Sequence, residues 1–232
     1  MSRLAVKVGP LASSGATKIA LSQAVGGAGN LTLNGALVSG GVATLDTPRR
    51  VTITSLTGDN SGVTFTVYGT DFAGYPLQAS TLGAVSSGSP VAIDVGVSFL
   101  TVTKITASGA STGNVEAGTN GVADSAPLFL DEFGFAPTSL QVNVSGTANF
   151  TVAQTLDDPT NPNWIWSAGG TAASFSNVVW INHPDTNLVA NTVSVQGNYA
   201  YVPKMVRVTL NSESGSGYVV LQVIQAASPS IG

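Results

Sequence analysis

The residue types that most often act as bases, nucleophiles and metal ligands are nearly absent from this sequence. Its 232 residues include one histidine and no cysteine. A Ser-His-Asp triad would need that histidine, His183, as its base. His183 lies in INHPDT, where Asn182, Pro184 and Asp185 are typical of a turn. A structural zinc site would need more His or Cys ligands than the chain has. We therefore expect no enzyme, no catalytic residues, no metal site and no cofactor.

Two pairs of adjacent acidic residues are the next candidates for chemistry. Asp131 with Glu132, or Asp157 with Asp158, could supply the two carboxylates of a glycoside hydrolase. Neighbouring residues of a strand point to opposite faces, so neither pair is expected to converge on one bond. Asp157 also opens the segment DDPTNPN, whose carboxylates and amides could bind calcium. Its Asp-Pro and Asn-Pro pairs favour a rigid loop instead.

Aromatic residues give the best sequence indication of a ligand surface. Trp164 and Trp166 are two residues apart and would share one face of a strand. Together with Trp180, Tyr199 and Tyr201 they could form a platform for a sugar. Packing in a core or at an interface is the preferred interpretation of the same side chains.

A pair of basic residues is a second candidate for binding a partner. Arg49 and Arg50 directly follow Asp46 and Pro48, and they could bind a carboxylate on another chain. The alternative is that both are solvated at the end of a strand. The candidate partner-binding residues are therefore Arg49, Arg50, Trp164, Trp166 and Trp180.

The composition indicates what kind of partner to expect. Only 9% of the residues are charged, compared with about 25% in an ordinary soluble domain. Burying Ser or Thr costs less than burying an ion, so such a surface suits lasting contact with protein. The net charge is −4 and the eight basic residues are scattered, so we expect no direct binding to nucleic acid. No apolar run is long enough to span a bilayer, and we expect no membrane association.

The elements that would position these side chains are strands. Apolar residues alternate with Thr or Ser, for example over Val51–Thr54 and Val63–Val67, and this period of two predicts strands with one wet face. Turn-forming segments such as TGDNSG and SSGSP separate them. The sequence predicts an all-β protein.

Two phrases occur twice and predict a duplicated domain. TFTVYGTD at 64–71 returns as NFTVAQTLD at 149–157, and KITASGASTGNV at 104–115 returns as RVTLNSESGSGYV at 207–219. The second copy has a longer interval between its phrases, which indicates an insertion within 157–177. We predict two tandem antiparallel β-sandwiches, Ig-like or jelly-roll-like. The alternative is that Thr/Val strands and Gly/Ser turns look alike by chance.

The predicted boundaries follow from the repeat. Residues 1–45 form an extended N-terminal arm, 46–122 the first β-sandwich, 123–137 a linker, 138–227 the second β-sandwich and 228–232 a C-terminal tail. The first segment is too Gly-rich to hold a core, and we expect it to be ordered by lying on a neighbour. A β-hairpin that completes the first sandwich is an equally good interpretation.

The sequence contains the strings NLTLNGALVSGGVATLDTPRRVTITS, GVTFTVYGTDFAG and KITASGASTGNVEAGTNG, and it has VTLNSESGSGYVVLQVIQ near its end. These strings resemble the phrasing of virion structural proteins of tailed bacteriophages, and the resemblance extends over most of the chain. The resemblance implies a non-enzymatic part of the particle and carries no active-site residues.

On that basis we expect a homo-oligomer in the virion, assembled in the bacterial host cytoplasm with other virion proteins. The main hypothesis is a capsid decoration or cement protein that contacts the major capsid protein. The alternatives are a neck or tail accessory protein, a short fibre, and a carbohydrate-binding module for host attachment.

Overall fold

The structure is a computed structural model that describes residues 2–131, 135–159 and 178–226. Its regular elements are antiparallel strands and one short 3-10 helix, Thr186–Leu188. The prediction of an all-β protein is confirmed. The strands are β1 Ser2–Val8, β2 Gly15–Gln23, β3 Gly29–Asn30, β4 Val38–Ser39, β5 Val42–Ser55, β6 Thr64–Thr70, β7 Pro76–Leu82, β8 Val91–Ala107, β9 Val115–Asp124, β10 Leu128–Phe129, β11 Phe135–Thr155, β12 Ile181–Asn182, β13 Val195–Tyr199 and β14 Met205–Ala226.

The chain divides into two compact units. The middle unit is Ala12–Gly121, and the split unit combines Met1–Leu11 with Val122–Gly232. Each unit has its own apolar core, as expected of an independent folding unit. Fully buried side chains of the middle core include Ile53, Phe65, Val67, Phe99 and Ile105, and those of the split core include Phe150, Val152, Val208, Leu210 and Leu221.

In the middle unit, β5, β8, β6 and β7 are neighbours in that order. The long strands β5 and β8 pair from Ala43 with Val102 to Ser55 with Val91, with two irregularities in the register. The shorter strands β2, β3 and β4 pair with β9, β8 and β5 respectively.

In the split unit, β14 pairs with β11 from Phe135 with Ala226 to Thr155 with Met205. On its other edge, β14 pairs with all seven residues of β1 and with the two residues of β10. The last residues of β9, Ala123 and Asp124, also pair with β14. Strands β12 and β13 pair with β11.

The repeated phrases take equivalent places in the two units. In the middle unit Val67 pairs with Ile105 and Tyr68 with Lys104. In the split unit Val152 pairs with Val208. The Phe and Val of each Phe-Thr-Val phrase are fully buried in the core of their own unit. The alternation of the sequence explains this burial, because residues two apart on a strand point to the same face.

The extended N-terminal arm predicted for residues 1–45 is not confirmed. Within the described residues, β1 pairs with β14 in the split unit, whereas residues 12–45 belong to the middle unit. Although this stretch is rich in glycine, Ile19, Leu31 and Leu45 fill part of the middle core. The hairpin alternative stays a prediction. In the middle unit β4 and β5 are consecutive and pair antiparallel, and β2 pairs with β9.

The predicted domain boundaries stay predictions, and the observed elements can be set beside them. The middle unit ends at Gly121, next to the predicted end of the first sandwich at 122. The predicted linker, 123–137, contains the end of β9, the strand β10 and the start of β11. The two-layered arrangement of a sandwich is not confirmed for either unit.

Candidate functional site

Arg49 is buried in the middle unit, where only 1% of its surface is exposed. Its Nη1 donates to the backbone oxygen of Ala12 at 2.8 Å and to Asp46 Oδ1 at 3.2 Å. Its Nη2 donates to the backbone oxygen of Asn120 at 2.8 Å. These hydrogen bonds lie within one chain, so the guanidinium has a structural role. The partner-binding role of Arg49 stays a prediction.

Arg50 is partly exposed and follows Arg49 on β5, where it pairs with Ser98 of β8. Adjacent residues of a strand face opposite sides, and this places Arg50 on the face away from Arg49. The structure therefore separates the two arginines that the sequence placed side by side. A contact between Arg50 and another chain stays a prediction.

Trp180 is partly exposed and lies against a basic side chain of the split unit. The Arg207 guanidinium sits over the indole ring at 4.3 Å from the ring centroid, which is the geometry of a cation–π contact. Arg207 also forms an ion pair with Asp124 at 3.3 Å. Trp164 and Trp166 lie outside the described residues, so the predicted aromatic platform stays a prediction.

His183 belongs to a cluster of polar and aromatic side chains in the split unit, in which His183, Tyr199 and Gln154 are buried and Tyr201 is exposed. Its ring lies 4.5 Å from the ring of Tyr199, between centroids, and Tyr199 lies 5.9 Å from Tyr201. The Tyr201 hydroxyl accepts a hydrogen bond from Nε2 of Gln154. We call His183, Tyr199, Tyr201 and Gln154 the His183 cluster.

Local structure orients the histidine. Its backbone nitrogen donates to the Val152 oxygen at 2.9 Å, and its Nδ1 accepts from the backbone nitrogen of Asp185 at 3.0 Å. The Asp185 side chain in turn caps the 3-10 helix by accepting from the Asn187 backbone nitrogen. The sequence predicts a turn at these residues. The hydrogen bond accepted by the imidazole at Nδ1 helps to stabilise that turn.

Burial dominates the electrostatics of the His183 cluster. It lowers the pKa of His183, although the Asp185 carboxylate and the Asn198 backbone oppose this. Burial also raises the pKa of Tyr199 far above its usual range. Both rings are therefore neutral at pH 7. The hydroxyl of Tyr199 and Oε1 of Gln154 are buried with no hydrogen-bond partner, so the cluster is a poorly solvated polar site.

The acidic residues considered for catalysis or calcium binding have structural contacts. Asp157 Oδ2 accepts from the Val179 backbone nitrogen at 2.8 Å, and Asp158 forms an ion pair with Lys204 at 2.7 Å. Of the other pair, Asp131 donates from its backbone nitrogen to Gln225, and Glu132 lies outside the described residues. Within the described ranges, no group of three or more His, Cys, Asp or Glu residues could hold a metal ion.

An exposed apolar surface lies where β11 and β12 meet. Ile181 pairs with Gln154, Leu156 directly follows β11, and Val179 lies two residues before β12. The exposed fractions are 72% for Leu156, 64% for Val179 and 62% for Ile181. We call these three residues the β11–β12 apolar patch. Large apolar side chains exposed together on one surface are typical of interaction sites.

Sequence reasoning did not find this patch or the intrachain role of Arg49. A signal for the patch was present in the run VVWI, because four consecutive apolar residues must present apolar side chains on both faces of a strand. Val178 is buried and Val179 is exposed, although both lie just before β12, which begins at Ile181. No local signal identifies the partners of Arg49, because Ala12 and Asn120 are distant in the sequence and contribute only backbone oxygens.

Comparison with known proteins adds little to this description. No protein-family model matches the chain, and no curated protein sequence matches it. Among solved structures it is similar to the major capsid protein P2 from bacteriophage PM2. The two are 10% identical, the match covers 99% of each chain, and the TM-score is 0.21. A TM-score of this size does not establish a common fold. Within the described part of the chain, no helix is long and apolar enough to cross a membrane.

Proposed function

We propose that this protein is a non-enzymatic structural component of a bacteriophage particle, a decoration or cement protein that binds the capsid shell. The observation that carries the proposal is the β11–β12 apolar patch on a chain with only 9% charged residues. Each unit already has its own apolar core. Leu156, Val179 and Ile181 are therefore available to another protein, and covering them would bury apolar surface at little desolvation cost.

The proposed mechanism is mechanical. A decoration protein is present in many symmetric copies, so modest contacts are multiplied over the shell and oppose the pressure of the packaged genome. A homo-oligomer and contacts with the major capsid protein belong to this proposal. So does a location in the virion after assembly in the bacterial host cytoplasm. The resemblance of the sequence to tailed-phage virion proteins supports it.

The proposal is tested on purified particles. Quantitative mass spectrometry should find the chain in hundreds of copies per particle, and particles lacking it should lose resistance to heat and osmotic shock. The double variant Leu156→Asp/Val179→Asp should bind such particles at least tenfold more weakly, because it places charge in the buried contact. Ser14→Asp, at an exposed loop residue of the middle unit, is the matched control. Absence of the chain from particles contradicts the proposal.

A neck or tail component is the alternative within the same class. It would use the same kind of contact but would occur in a small multiple of three or six copies. Copy number from the same mass spectrometry separates the two, because a shell protein is far more numerous.

A carbohydrate-binding module for host attachment is favoured by one observation. The Trp180 ring is partly exposed and is held by Arg207, and an oriented indole ring is a suitable platform for a sugar. The Trp164→Ala/Trp166→Ala and Trp180→Ala variants should then lose adsorption to host cells and keep assembly. Loss of assembly instead would assign these rings to packing.

A further inference from the structure

Strand β7 lies at one edge of the middle unit. Within the described strands it pairs with β6 alone. The Gly83 backbone nitrogen donates to the Val63 oxygen at 2.8 Å, so these two residues form a hydrogen-bonded pair. Such pairs alternate with non-hydrogen-bonded pairs along an antiparallel ladder. Thr81, Ala79 and Leu77 therefore direct their backbone groups to β6.

The remaining residues of β7 direct their backbone groups to the free edge. Gln78, Ser80 and Leu82 each offer one N–H and one C=O there, and all three are exposed. Pro76 also occupies an outward-facing position, where its missing N–H does not interrupt the ladder with β6. The free edge thus presents a short, complete row of donors and acceptors that ends at Pro76.

This edge lacks the features that usually prevent pairing. Exposed edge strands are normally protected by charged residues, especially Lys, by interior prolines or by bulges. No charged residue occurs between residues 72 and 93, and none occurs in β6. The register between β6 and β7 has no irregularity. Leu82 adds an exposed apolar side chain, with 56% of its surface accessible.

The turn before β7 holds the edge in place. Asp71 Oδ1 accepts from the backbone nitrogens of Ala73 at 2.8 Å and Tyr75 at 3.0 Å. The Asp71 backbone nitrogen donates to the Tyr75 oxygen at 3.0 Å. A fixed strand loses little conformational freedom when it pairs, which favours association.

We propose that β7 pairs antiparallel with β7 of a second copy of this chain, with Ser80 facing Ser80 across a two-fold axis. This register pairs Gln78 with Leu82 of the other copy, and it uses every outward N–H and C=O of the three residues. A register shifted toward Pro76 would bring that residue into the new ladder. One hydrogen bond would then be lost, because Pro76 has no N–H to donate. The inference rests on the proposed function, because it supplies the homotypic contact of a symmetric assembly.

A second copy fits this edge for two reasons. A two-fold axis brings a residue close to its own counterpart, so charge on the strand would repel itself, and β7 carries none. Continuing the register beyond the strand places Tyr75 opposite Val85 of the other copy. Both are exposed apolar side chains, with accessible fractions of 43% and 44%, and they would cover each other.

Disulfide capture tests the register directly, because the chain has no cysteine of its own. Facing residues in a hydrogen-bonded pair have Cα atoms about 5.5 Å apart, within the range of about 4.4–6.8 Å that a disulfide spans. Ser80→Cys should therefore form a covalent dimer under mild oxidation at least tenfold faster than Ser14→Cys, the exposed loop control. Equal rates for the two variants would overturn the inference.

Charge substitution provides an independent test in solution. Ser80→Lys and Ser80→Glu should each weaken the dimer about tenfold or more, because like charges would face each other across the axis. Mixing the two variants should restore dimers. Ser80→Ala, which loses the same hydrogen bond to Thr66 Oγ1, should keep the wild-type mass in light scattering. The unfolding midpoint of each variant is measured as a check on folding.

The two proposals fail separately. A wild-type protein that is monomeric over the whole concentration series, or a Ser80→Lys variant that remains as oligomeric as wild type, overturns the β7 contact and leaves the virion role untouched. If the protein forms dimers that depend on β7 but is absent from purified particles, the virion role is contradicted and the β7 contact stands.

Discussion

Arg49 donates a hydrogen bond from Nη2 to the backbone oxygen of Asn120, at 2.8 Å. Asn120 stands next to Gly121, where the chain leaves the middle unit, and the other backbone acceptor, Ala12, is the first residue of that unit. One guanidinium therefore binds both ends of the segment that forms the middle unit. Arginine suits this position because its planar group reaches acceptors in several directions at once.

Removing this guanidinium should destabilise the middle unit. Arg49→Ala removes the donor to Oδ1 of Asp46 and to two backbone oxygens, and we expect a loss of about 2–4 kcal/mol in the free energy of unfolding. Arg3→Ala, at an exposed arginine of β1, should change it by less than about 0.5 kcal/mol. Urea unfolding of both variants measures the difference. Equal midpoints would show that the Arg49 contacts contribute nothing.

Two glycines of β9 should respond in opposite ways to alanine. A Cβ at position 118 would lie 1.9 Å from the Gly15 backbone oxygen, whereas a Cβ at position 121 would have no atom within 4 Å. Gly118→Ala must push β2 away from β9 and should cost about 1–3 kcal/mol. Gly121→Ala should be neutral or slightly stabilising, because alanine restricts the unfolded chain. Thermal unfolding compares the pair, and similar losses would contradict the close approach.

The single histidine should make the split unit sensitive to acid. The pKa of His183 is lowered in the folded protein by burial, so the unfolded chain binds a proton at higher pH than the folded one. Stability should therefore fall as the pH drops below about 6.5, the ordinary histidine value, and level off below the folded pKa.

Proton NMR of His183 measures its folded pKa directly, since no other histidine contributes a signal. The His183→Gln variant should lose the fall in stability that begins below about pH 6.5. A folded pKa at or above the ordinary value would contradict the effect of burial.

The two tyrosines of the His183 cluster should differ when their hydroxyls are removed. The Tyr199 hydroxyl is buried without a partner, so Tyr199→Phe removes a desolvated polar group and should be neutral or stabilising by up to about 1 kcal/mol. The Tyr201 hydroxyl accepts from Gln154, so Tyr201→Phe should cost about 1 kcal/mol. Chemical denaturation measures both. A larger loss for Tyr199→Phe would indicate a hydrogen bond that the structure does not show.

Sequence reasoning predicted the strands and the equivalent roles of the repeated phrases. Phe65 and Phe150 are both fully buried, each in its own core, because alternation of apolar and polar residues is a local property that a strand converts into two faces. The scarcity of charge and the single histidine could also be seen in the sequence alone. These features limit the kinds of chemistry and partner that the protein can use.

Only the tertiary structure decided which strands meet and what surrounds each polar side chain. β1 pairs with β14, at the other end of the chain, and no residue type encodes that choice, because strand pairing uses the backbone groups that almost all residues share. The surroundings of Arg49 and His183 also depend on which distant parts of the chain meet. Arg49 is an interior donor to distant backbone oxygens, and the neutral state of His183 follows from burial among residues that the chain brings together only when it folds.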